Sequence, residues 1–251
     1  MRIAAIYDIH GNLPALEAVL GEVRAAGAGL VVVGGDVAAG PLPRETIERL
    51  AELPAPARFV RGNADRMLVE CYDGMPLSPR LPPHVREVME WAAGRLDRAH
   101  RDFLAGFEET VDAEADGVGG VLFCHGSPRS DEEIITEATP DERVRAMVAG
   151  VSRRVVVCGH THMQFDRVVD GVRVVNAGSV GMPFGEPGAY WALLGPGVEL
   201  RRTDYDLRHA ADLIRASAYP QAADFADNNV LHPPSAAEAL ALFEGAASNN
   251  A

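Results

Sequence analysis

The sequence contains no lysine, because all 23 of its basic residues are arginine. This absence excludes the chemistries that need a lysine side chain: the phosphate-binding lysine of a P-loop, a Schiff base, a lysine general base and a carbamylated-lysine metal bridge. A phosphorylated substrate would still need a locally positive site, since the 36 acidic residues give the chain a net charge of −13.

Positive charge is also not concentrated anywhere along the chain. No arginine-dense stripe interrupts the acidic average, so binding to a nucleic-acid backbone is not expected. No run of about 18 uncharged apolar residues occurs, which predicts that nothing spans a membrane. Neither a nucleic acid nor a membrane is therefore an expected partner, and the sequence leaves the oligomeric state open.

Cysteine is scarce, with Cys71, Cys124 and Cys158 forming an odd set without close pairing. No basic, apolar and small-residue pattern of a signal peptide opens the sequence, so a reducing cytoplasm is the expected location. The apolar share of 47% and the charged share of 24% are ordinary for a globular protein. A length of 251 residues suits one α/β domain with an elaboration, or two small domains.

The first part of the chain alternates between strand and helix patterns. Apolar runs predict strands at 2–7, 30–33 and 57–60, and amphipathic stretches predict helices at 13–26 and 44–53. This alternation is typical of βαβ units in a layered sheet, where the loops at the strand ends carry the chemistry. Helical stretches between residues 66 and 106 predict an inserted cap.

The later part favours antiparallel pairs of strands. Hairpins are predicted at 109–124, at 164–175 around Asp170-Gly171, and at 189–203 around Gly195-Pro196-Gly197. An apolar run predicts one more buried strand at 154–158. From Tyr205 onward the chain is helical and alanine-rich, with a last helix near 236–243. The predicted organisation is one domain over residues 1–204, with the cap inside it, and a helical extension over 205–251 packed on that domain.

Polar side chains with metal-ligand chemistry follow five of the predicted strands, each beside a glycine. A lone histidine at a strand end is more often structural, but five such segments in order indicate a metal centre. Carboxylate, imidazole and carboxamide groups suit Mn, Fe, Zn, Ni or Co better than Mg or Ca. Seven ligands are too many for one tetrahedral ion, which favours two divalent ions that share a carboxylate. The seven are Asp8, His10, Asp36, Asn63, His125, His160 and His162.

The ordered motifs D-x-H, G-D, G-N-x-D, H-G and G-H-x-H, spread over residues 2–203, resemble the calcineurin-like metallophosphoesterase superfamily. The segments DIHGN at 8–12 and NAGSVG at 176–181 resemble its small bacterial and archaeal phosphodiesterase branch. The resemblance implies an α/β fold, a two-sheet β-sandwich flanked by helices, with two metal ions at its edge. It also implies hydrolysis of a phosphate ester by in-line attack of a metal-bridging hydroxide, with manganese as the working choice of metal.

The resemblance further implies a role for each ligand. Asp8, His10 and His162 would hold one ion, and Asn63, His125 and His160 the other. Asp36 would bridge both ions. On this view Asp36, Asn63 and His125 serve in catalysis, together with Asp65 after the third strand.

One position departs from the superfamily pattern. Many members have histidine after Gly-Asn, where it is thought to protonate the leaving group, whereas this chain has Ala64. General acid assistance contributes about 10²- to 10⁴-fold, so its absence predicts a phosphodiesterase, or an enzyme for good leaving groups, with weak activity on alkyl monoesters. Asp65 lacks the histidine that would be its partner in other members. An alternative role for Asp65 is therefore a structural carboxylate that orients the loop or a metal-binding imidazole.

Four residues are predicted to contact substrate, and each has a structural alternative. Arg61 and Arg129 neighbour ligands and are predicted to hold phosphate, although each is equally well explained as a surface arginine. Asn12 is also explained as a helix cap, and Ser179 as part of a glycine-rich turn.

Three other functions compete with a phosphodiesterase. A phosphomonoesterase or protein phosphatase would use the same fold, and the retromer subunit with this fold is a scaffold that has lost key ligands. All seven ligand positions are present here, which argues against a scaffold. The H-x-H and lysine of amidohydrolases and the H-x-H-x-D-H of metallo-β-lactamases are absent. The sequence does not identify the cellular substrate or the native metals.

Overall fold

Two five-stranded sheets form the centre of the protein in the computed structural model, which describes residues 1–54 and 56–249. The strands are β1 Ile3–Ile6, β2 Leu30–Val33, β3 Ala57–Phe59, β4 Thr110–Ala115, β5 Gly119–Cys124, β6 Val155–Cys158, β7 Phe165–Val169, β8 Val172–Asn176, β9 Ala189–Leu194 and β10 Val198–Thr203. The helices are α1 Leu13–Ala25, α2 Pro43–Ala51, α3 Asn63–Tyr72, α4 Pro83–Ala93, α5 Arg98–Ala105, α6 Asp141–Met147, α7 Leu207–Ala216, α8 Ala222–Phe225 and α9 Ala236–Asn249, with a π-helical segment Ala226–Leu231.

Each sheet has parallel strands at its centre. The first has the order β10-β9-β1-β2-β3, in which β1, β2 and β3 are parallel and β9 and β10 are antiparallel additions. The second has the order β4-β5-β6-β8-β7, in which β5, β6 and β8 are parallel. The three predicted hairpins, β4–β5, β7–β8 and β9–β10, are confirmed. Because parallel strands end at the same edge, the loops after β1, β2, β5 and β6 lie together.

The sheets face each other across an apolar core. Ala5 and Tyr7 point toward the second sheet, while Ala4 and Ile6 point outward to the helices, as the twofold alternation of a strand requires. β1 is therefore buried on both faces, which explains its continuous apolar sequence. The Tyr7 hydroxyl donates a hydrogen bond of 3.1 Å to the Val157 carbonyl and joins the two layers. This architecture confirms the predicted two-sheet sandwich flanked by helices.

Helices cover the outer face of each sheet. The predicted cap forms three helices, and the first begins at Asn63 rather than after residue 65. Leu68, Ala92 and Leu104 of these helices share a buried cluster with Leu16 of α1. They thus form part of the layer on the first sheet, and their role as a substrate-selecting cap stays a prediction. On the second sheet, α6 packs over the outer face.

The C-terminal helices pack on the rest of the molecule. Ala210, Ile214 and Phe225 form a buried cluster with Val88 of α4. The last helix continues to Asn249, six residues beyond the predicted end at 243, because the alanine-rich sequence contains no proline there. Within the described part of the chain, no helix has the length and apolar character needed to cross a bilayer.

Candidate metal centre

The predicted ligands that follow β1, β2, β5 and β6 meet at one edge of the sandwich. They form two groups, and within each group one ligand atom from every side chain lies within 4.8 Å of the others. The first group is Asp8, His10 and His162, and the second is Asp36, His125 and His160.

The two groups adjoin each other at Asp36. Its Oδ2 atom lies 3.4 Å from Nε2 of His125 in its own group and 3.9 Å from Nε2 of His10 in the other. Oδ1 of Asp8 lies 3.5 Å from Nε2 of His162 and 3.9 Å from Nε2 of His125. Each carboxylate thus faces imidazoles of both groups, an arrangement that suits two neighbouring cations.

The ligands are held in a backbone conformation that side chains other than glycine rarely adopt. Among the described residues, six non-glycine residues have positive φ, and five of them belong to the two groups. The sixth is Asp170 in the β7–β8 turn. Such residues cost of order 1–3 kcal/mol each and cluster at functional sites. The five are Asp8 at 53°, His10 at 47°, Asp36 at 54°, His160 at 65° and His162 at 59°.

Glycine beside these ligands leaves space for close backbone packing. A Cβ atom on Gly62 would lie 2.1 Å from Oδ1 of Asp36, and one on Gly35 would lie 2.5 Å from the backbone nitrogen of Gly62. Gly35 also has a φ of +97°. Steric contact therefore requires glycine in both the G-D and the G-N motif, and at Gly35 the chain conformation requires it as well.

Asp65 fastens two ligand loops together. Its carboxylate is fully buried and accepts hydrogen bonds from the backbone N–H groups of Asp36 at 2.8 Å, Val37 at 2.9 Å and Gly62 at 3.0 Å. These contacts place Asp65 behind the centre, where it orients the loop that carries Asp36.

Backbone carbonyls set the orientation of three imidazoles. The Nδ1 atom of His10 lies 3.2 Å from the Ala39 carbonyl. The Nδ1 atom of His125 lies 2.8 Å from the Gly34 carbonyl, and that of His162 lies 2.8 Å from the Met182 carbonyl. A carbonyl only accepts, so Nδ1 must carry the proton in each ring. Nε2 then points into the centre, which is the usual arrangement of metal-binding histidine.

The carboxylate of Asp8 indicates that the centre is suited to cations. Its Oδ2 accepts a 3.0 Å hydrogen bond from the backbone N–H of His160, but its buried Oδ1 has no hydrogen-bond partner. An uncompensated buried carboxylate oxygen is costly, and a divalent cation would satisfy it. The donor set, carboxylates with imidazole Nε2 atoms, is suited to such ions.

Asn63 stands beside the second group, at the first position of α3. Its Oδ1 lies 3.1 Å from Nε2 of His125. With the proton of a neutral His125 on Nδ1, these two atoms are both acceptors, and a shared cation or an added proton between them would relieve their repulsion. Burial works against that proton, but the attraction of Asp36 and Asp8 and the hydrogen bond to the Gly34 carbonyl together outweigh it and raise the pKa of His125 to about 10.

The pKa values of the other titratable groups in the centre depart from their ordinary values, some upward and some downward. Burial favours a neutral Asp36, but the charge and hydrogen bond of His125, together with the charges of His10 and His160, outweigh it and hold the pKa of Asp36 well below its usual range. Burial, followed by repulsion from His125, lowers the pKa of His160 to about 4. Burial, followed by repulsion from Asp36, raises the pKa of Asp65 to about 7, against the backbone hydrogen bonds that favour its anion. The centre thus combines anionic carboxylates with closely packed imidazoles.

The four predicted substrate residues separate into two pairs. Arg61 and Arg129 line a cleft beside His125. Asn12 and Ser179 are not brought to that cleft: both are fully buried. Asn12 caps α1 through the Ala15 N–H and donates to the Gly181 carbonyl, while the Ser179 hydroxyl donates to the Asp8 carbonyl at 2.7 Å. These contacts support the structural alternatives for Asn12 and Ser179.

Sequence reasoning missed two residues that line the same cleft, Arg66 and Glu109. Neither follows a glycine-flanked strand end, so no local pattern marks them. Ala64, at the position of the expected histidine, is 2% exposed and packs in the cluster with Leu68. Its backbone N–H donates to Oδ1 of Asp36 at 2.8 Å.

The geometry of the centre agrees with a comparison of the sequence. The family model described as the calcineurin-like phosphoesterase superfamily domain matches residues 1–195. The chain belongs to this superfamily. Membership of this superfamily is consistent with metal-dependent hydrolysis of phosphoesters, and the two ligand groups agree with it.

Two solved structures are similar to this superfamily member over nearly its whole length. A metallophosphoesterase from Sphaerobacter thermophilus shares 26% identity with a TM-score of 0.73, over 92% of this chain and 99% of that one. A hypothetical protein from Pyrococcus horikoshii shares 21% identity with a TM-score of 0.78, over 93% and 99% of the two chains, and bears on the fold alone. No curated protein matches the chain.

Proposed function

We propose that the protein is a binuclear metal-dependent phosphodiesterase that hydrolyses a small phosphorylated substrate. The observation that supports this best is the pair of adjoining ligand groups, in which Asp36 faces imidazoles of both and the buried Oδ1 of Asp8 lacks a hydrogen-bond partner. Manganese is the proposed metal for both groups, because carboxylates and imidazoles suit ions of its class.

When bound, two such ions would supply a nucleophile at neutral pH and neutralise charge on the phosphoryl oxygens. The chain's own residues prepare the centre for this. Asp36 and Asp8 provide the anionic oxygens, and His10, His125 and His162 are oriented by backbone carbonyls with Nε2 inward. Asn63 directs a neutral oxygen to the second group.

The preference for diesters is inferred from Ala64. A methyl side chain packed in the core cannot donate a proton to a leaving group. Loss of general acid assistance costs most when the leaving alkoxide is basic. Aryl diesters are therefore the proposed good substrates, and alkyl monoesters the poor ones.

The experiment compares hydrolysis of bis(p-nitrophenyl) phosphate, p-nitrophenyl phosphate and an alkyl monophosphate by protein loaded with Mn, Ni, Zn or Mg. We expect the diester to be the best substrate and two metal ions to bind per chain, as measured by elemental analysis. The Asp36→Asn variant should lose about 10²-fold or more in rate, comparable to the loss of one strong electrostatic contact in a catalytic site. The control is Asp212→Asn, which removes a carboxylate whose side chain is 77% exposed.

Each outcome bears on the proposal. Faster hydrolysis of the monoesters than of the diester would contradict the phosphodiesterase and indicate a phosphomonoesterase. Metal binding without hydrolysis of any ester would indicate a metal-binding scaffold. Full activity of Asp36→Asn would contradict the role of the shared carboxylate.

A further inference from the structure

A cleft of about 200 Å³ opens beside His125. Three arginines line it, Arg61, Arg66 and Arg129, although the chain as a whole is acidic. The cleft is smaller than the ~300–1,000 Å³ of pockets that enclose drug-sized ligands. It therefore fits a compact group and not a whole nucleoside.

Two of these arginines are already occupied by the protein. Arg66 contacts Asp131 at 2.8 Å and Glu132 at 2.7 Å. Arg129 binds both oxygens of Glu133 and donates to the Ala146 carbonyl at 3.0 Å. Both are held in place, and neither has to move for the cleft to keep its shape.

Arg61 differs from them in its contacts. Its Nη2 donates to Glu109 at 3.2 Å, while its buried Nε has no hydrogen-bond partner. The side chain of Glu109 is 81% exposed, so this ion pair is a weak one. The Nε–H of Arg61 is unused and its Nη2 is only weakly paired. Such a guanidinium is suited to bind another oxyanion through two hydrogen bonds.

The main chain keeps Arg61 and Glu109 together at the mouth of the cleft. The Arg61 N–H donates to the Glu108 carbonyl at 2.7 Å, and the Glu108 N–H donates to the Phe59 carbonyl at 2.9 Å. Arg61 is also only two residues before Asn63 of the metal centre. The main chain of Arg61 is thus anchored after β3, and its side chain lines the same cleft as His125 of the second ligand group.

We propose that Arg61 binds a compact oxyanion of the substrate in addition to the scissile phosphate, such as a carboxylate on the alcohol of the diester. In the free protein, Glu109 pairs with the Arg61 guanidinium in place of that oxyanion. The inference rests on the proposed phosphodiesterase and names its substrate class: diesters with an additional anionic group close to the phosphorus. Glu109 swings into solvent when the substrate anion takes over the guanidinium.

The test uses two diesters of equal size, 2-carboxyethyl p-nitrophenyl phosphate and the uncharged 2-carbamoylethyl p-nitrophenyl phosphate. In the wild-type protein we expect kcat/KM to be about tenfold higher for the carboxylate, the ratio that corresponds to about 1.4 kcal/mol. The difference should lie mainly in KM, because the contact is made in the bound ground state. In Arg61→Gln the ratio should fall to about 1, and in Glu109→Gln it should exceed that of the wild type.

A neighbouring ion pair provides matched controls. Arg58 and Glu108 form a 2.6 Å pair at the same edge of the sheet. Arg58→Gln and Glu108→Gln remove equal charges without altering the cleft lining, so both should keep the wild-type ratio. An equal loss of preference in Arg58→Gln would attribute the effect to overall charge and overturn the proposal.

The outcomes separate this inference from the proposed function. Turnover of both diesters with a wild-type ratio near 1 contradicts the Arg61 subsite and leaves the phosphodiesterase intact. Turnover of neither diester, with any of the metals, contradicts the phosphodiesterase itself.

A second measurement does not depend on activity. In the metal-free protein, inorganic phosphate should shift the ¹⁵N resonance of Arg61 Nε. In the Glu109→Gln variant, the same shift should occur at a lower phosphate concentration than in the wild type. Shifts at Arg66 or Arg129 with none at Arg61 would overturn the proposal, because they would place the anion elsewhere in the cleft.

Discussion

His125 is the residue at which a proton and a metal ion compete most directly. Its Nε2 faces Asn63 Oδ1 at 3.1 Å and Asp36 Oδ2 at 3.4 Å. Without a metal, burial opposes an added proton, but the charges of Asp36 and Asp8, together with the hydrogen bonds to Asp36 and the Gly34 carbonyl, outweigh it and raise the pKa of His125 to about 10. A metal ion at the same point requires the neutral ring, so the proton must leave when the ion binds.

We therefore expect Mn²⁺ binding at pH 7 to release at least one proton per chain. Below a pKa of about 10 His125 is protonated in the metal-free protein, so the affinity should rise with pH, by about tenfold per unit for one proton, and level off above that pKa. Calorimetric titration in buffers of different ionisation enthalpy measures the release. The exposed His209→Gln variant should release the same number, and a heat of binding independent of buffer would contradict the expectation.

Asp65 shows how a residue outside the ligand set can control it. Its carboxylate accepts three backbone N–H groups, two of them from the loop of Asp36. Asp65→Asn replaces one acceptor oxygen with an NH₂ group that faces a donor. We expect the free energy of unfolding to fall by roughly 2–3 kcal/mol, and Mn²⁺ affinity to fall by roughly 10- to 100-fold.

Chemical denaturation and a metal titration check this expectation at residue 65. The control is Asp97→Asn, because Asp97 also accepts two backbone N–H groups, at the exposed start of α5. It should cost about 1 kcal/mol or less and leave Mn²⁺ affinity unchanged. Equal effects of the two variants on metal binding would contradict the positioning role of Asp65.

At the scale of elements, the repeated unit is a buried strand, a sharp turn and a ligand. The turns rely on glycine for two separable reasons, chain conformation and space. Gly27, after α1, has a φ of +66° with nothing within 4 Å of a built Cβ. Gly35, before Asp36, has a φ of +97°, and its Cβ would lie 2.8 Å from Nδ1 of His125. The pair allows the two costs to be told apart.

Gly27→Ala should lower the free energy of unfolding by about 1 kcal/mol, the usual cost of a left-handed alanine. Gly35→Ala should cost more, because the methyl group also displaces Gly62 and His125, and should weaken Mn²⁺ binding as well. Thermal unfolding and a metal titration of both variants check this. Equal destabilisation with unchanged metal affinity would show that the space at Gly35 is not needed.

The elements that could be predicted from the sequence are those with local signals. Asp170-Gly171 predicts its hairpin because both residues adopt positive φ there, at 50° and 82°. The strand-end ligands could be predicted because continuous apolar runs end at glycine-flanked polar residues. The proximity of Arg61 and Glu109, and the burial of Ser179, could not, because they depend on contacts between segments distant in sequence.

For the whole molecule, the candidate metal centre lies where the two sheets meet. Asp8, His10 and Asp36 follow strands of the first sheet, whereas His125, His160 and His162 follow strands of the second. Each ligand group contains residues from both sheets. A bound ion would therefore link the layers that the Tyr7 hydroxyl also joins, so metal affinity and the stability of the sandwich should be coupled.

We expect Mn²⁺ to raise the melting temperature of the chelator-treated protein. At a free concentration 100 times the dissociation constant, one ion adds about 2.7 kcal/mol, and each kcal/mol shifts the melting temperature of a chain of this size by about 2–4 °C. The Asp36→Asn variant should lose most of the shift, whereas Asp212→Asn should retain it. Binding of Mn²⁺ without a rise in melting temperature would mean that the unfolded chain binds the ions as tightly as the folded one, which would contradict a site that the fold assembles.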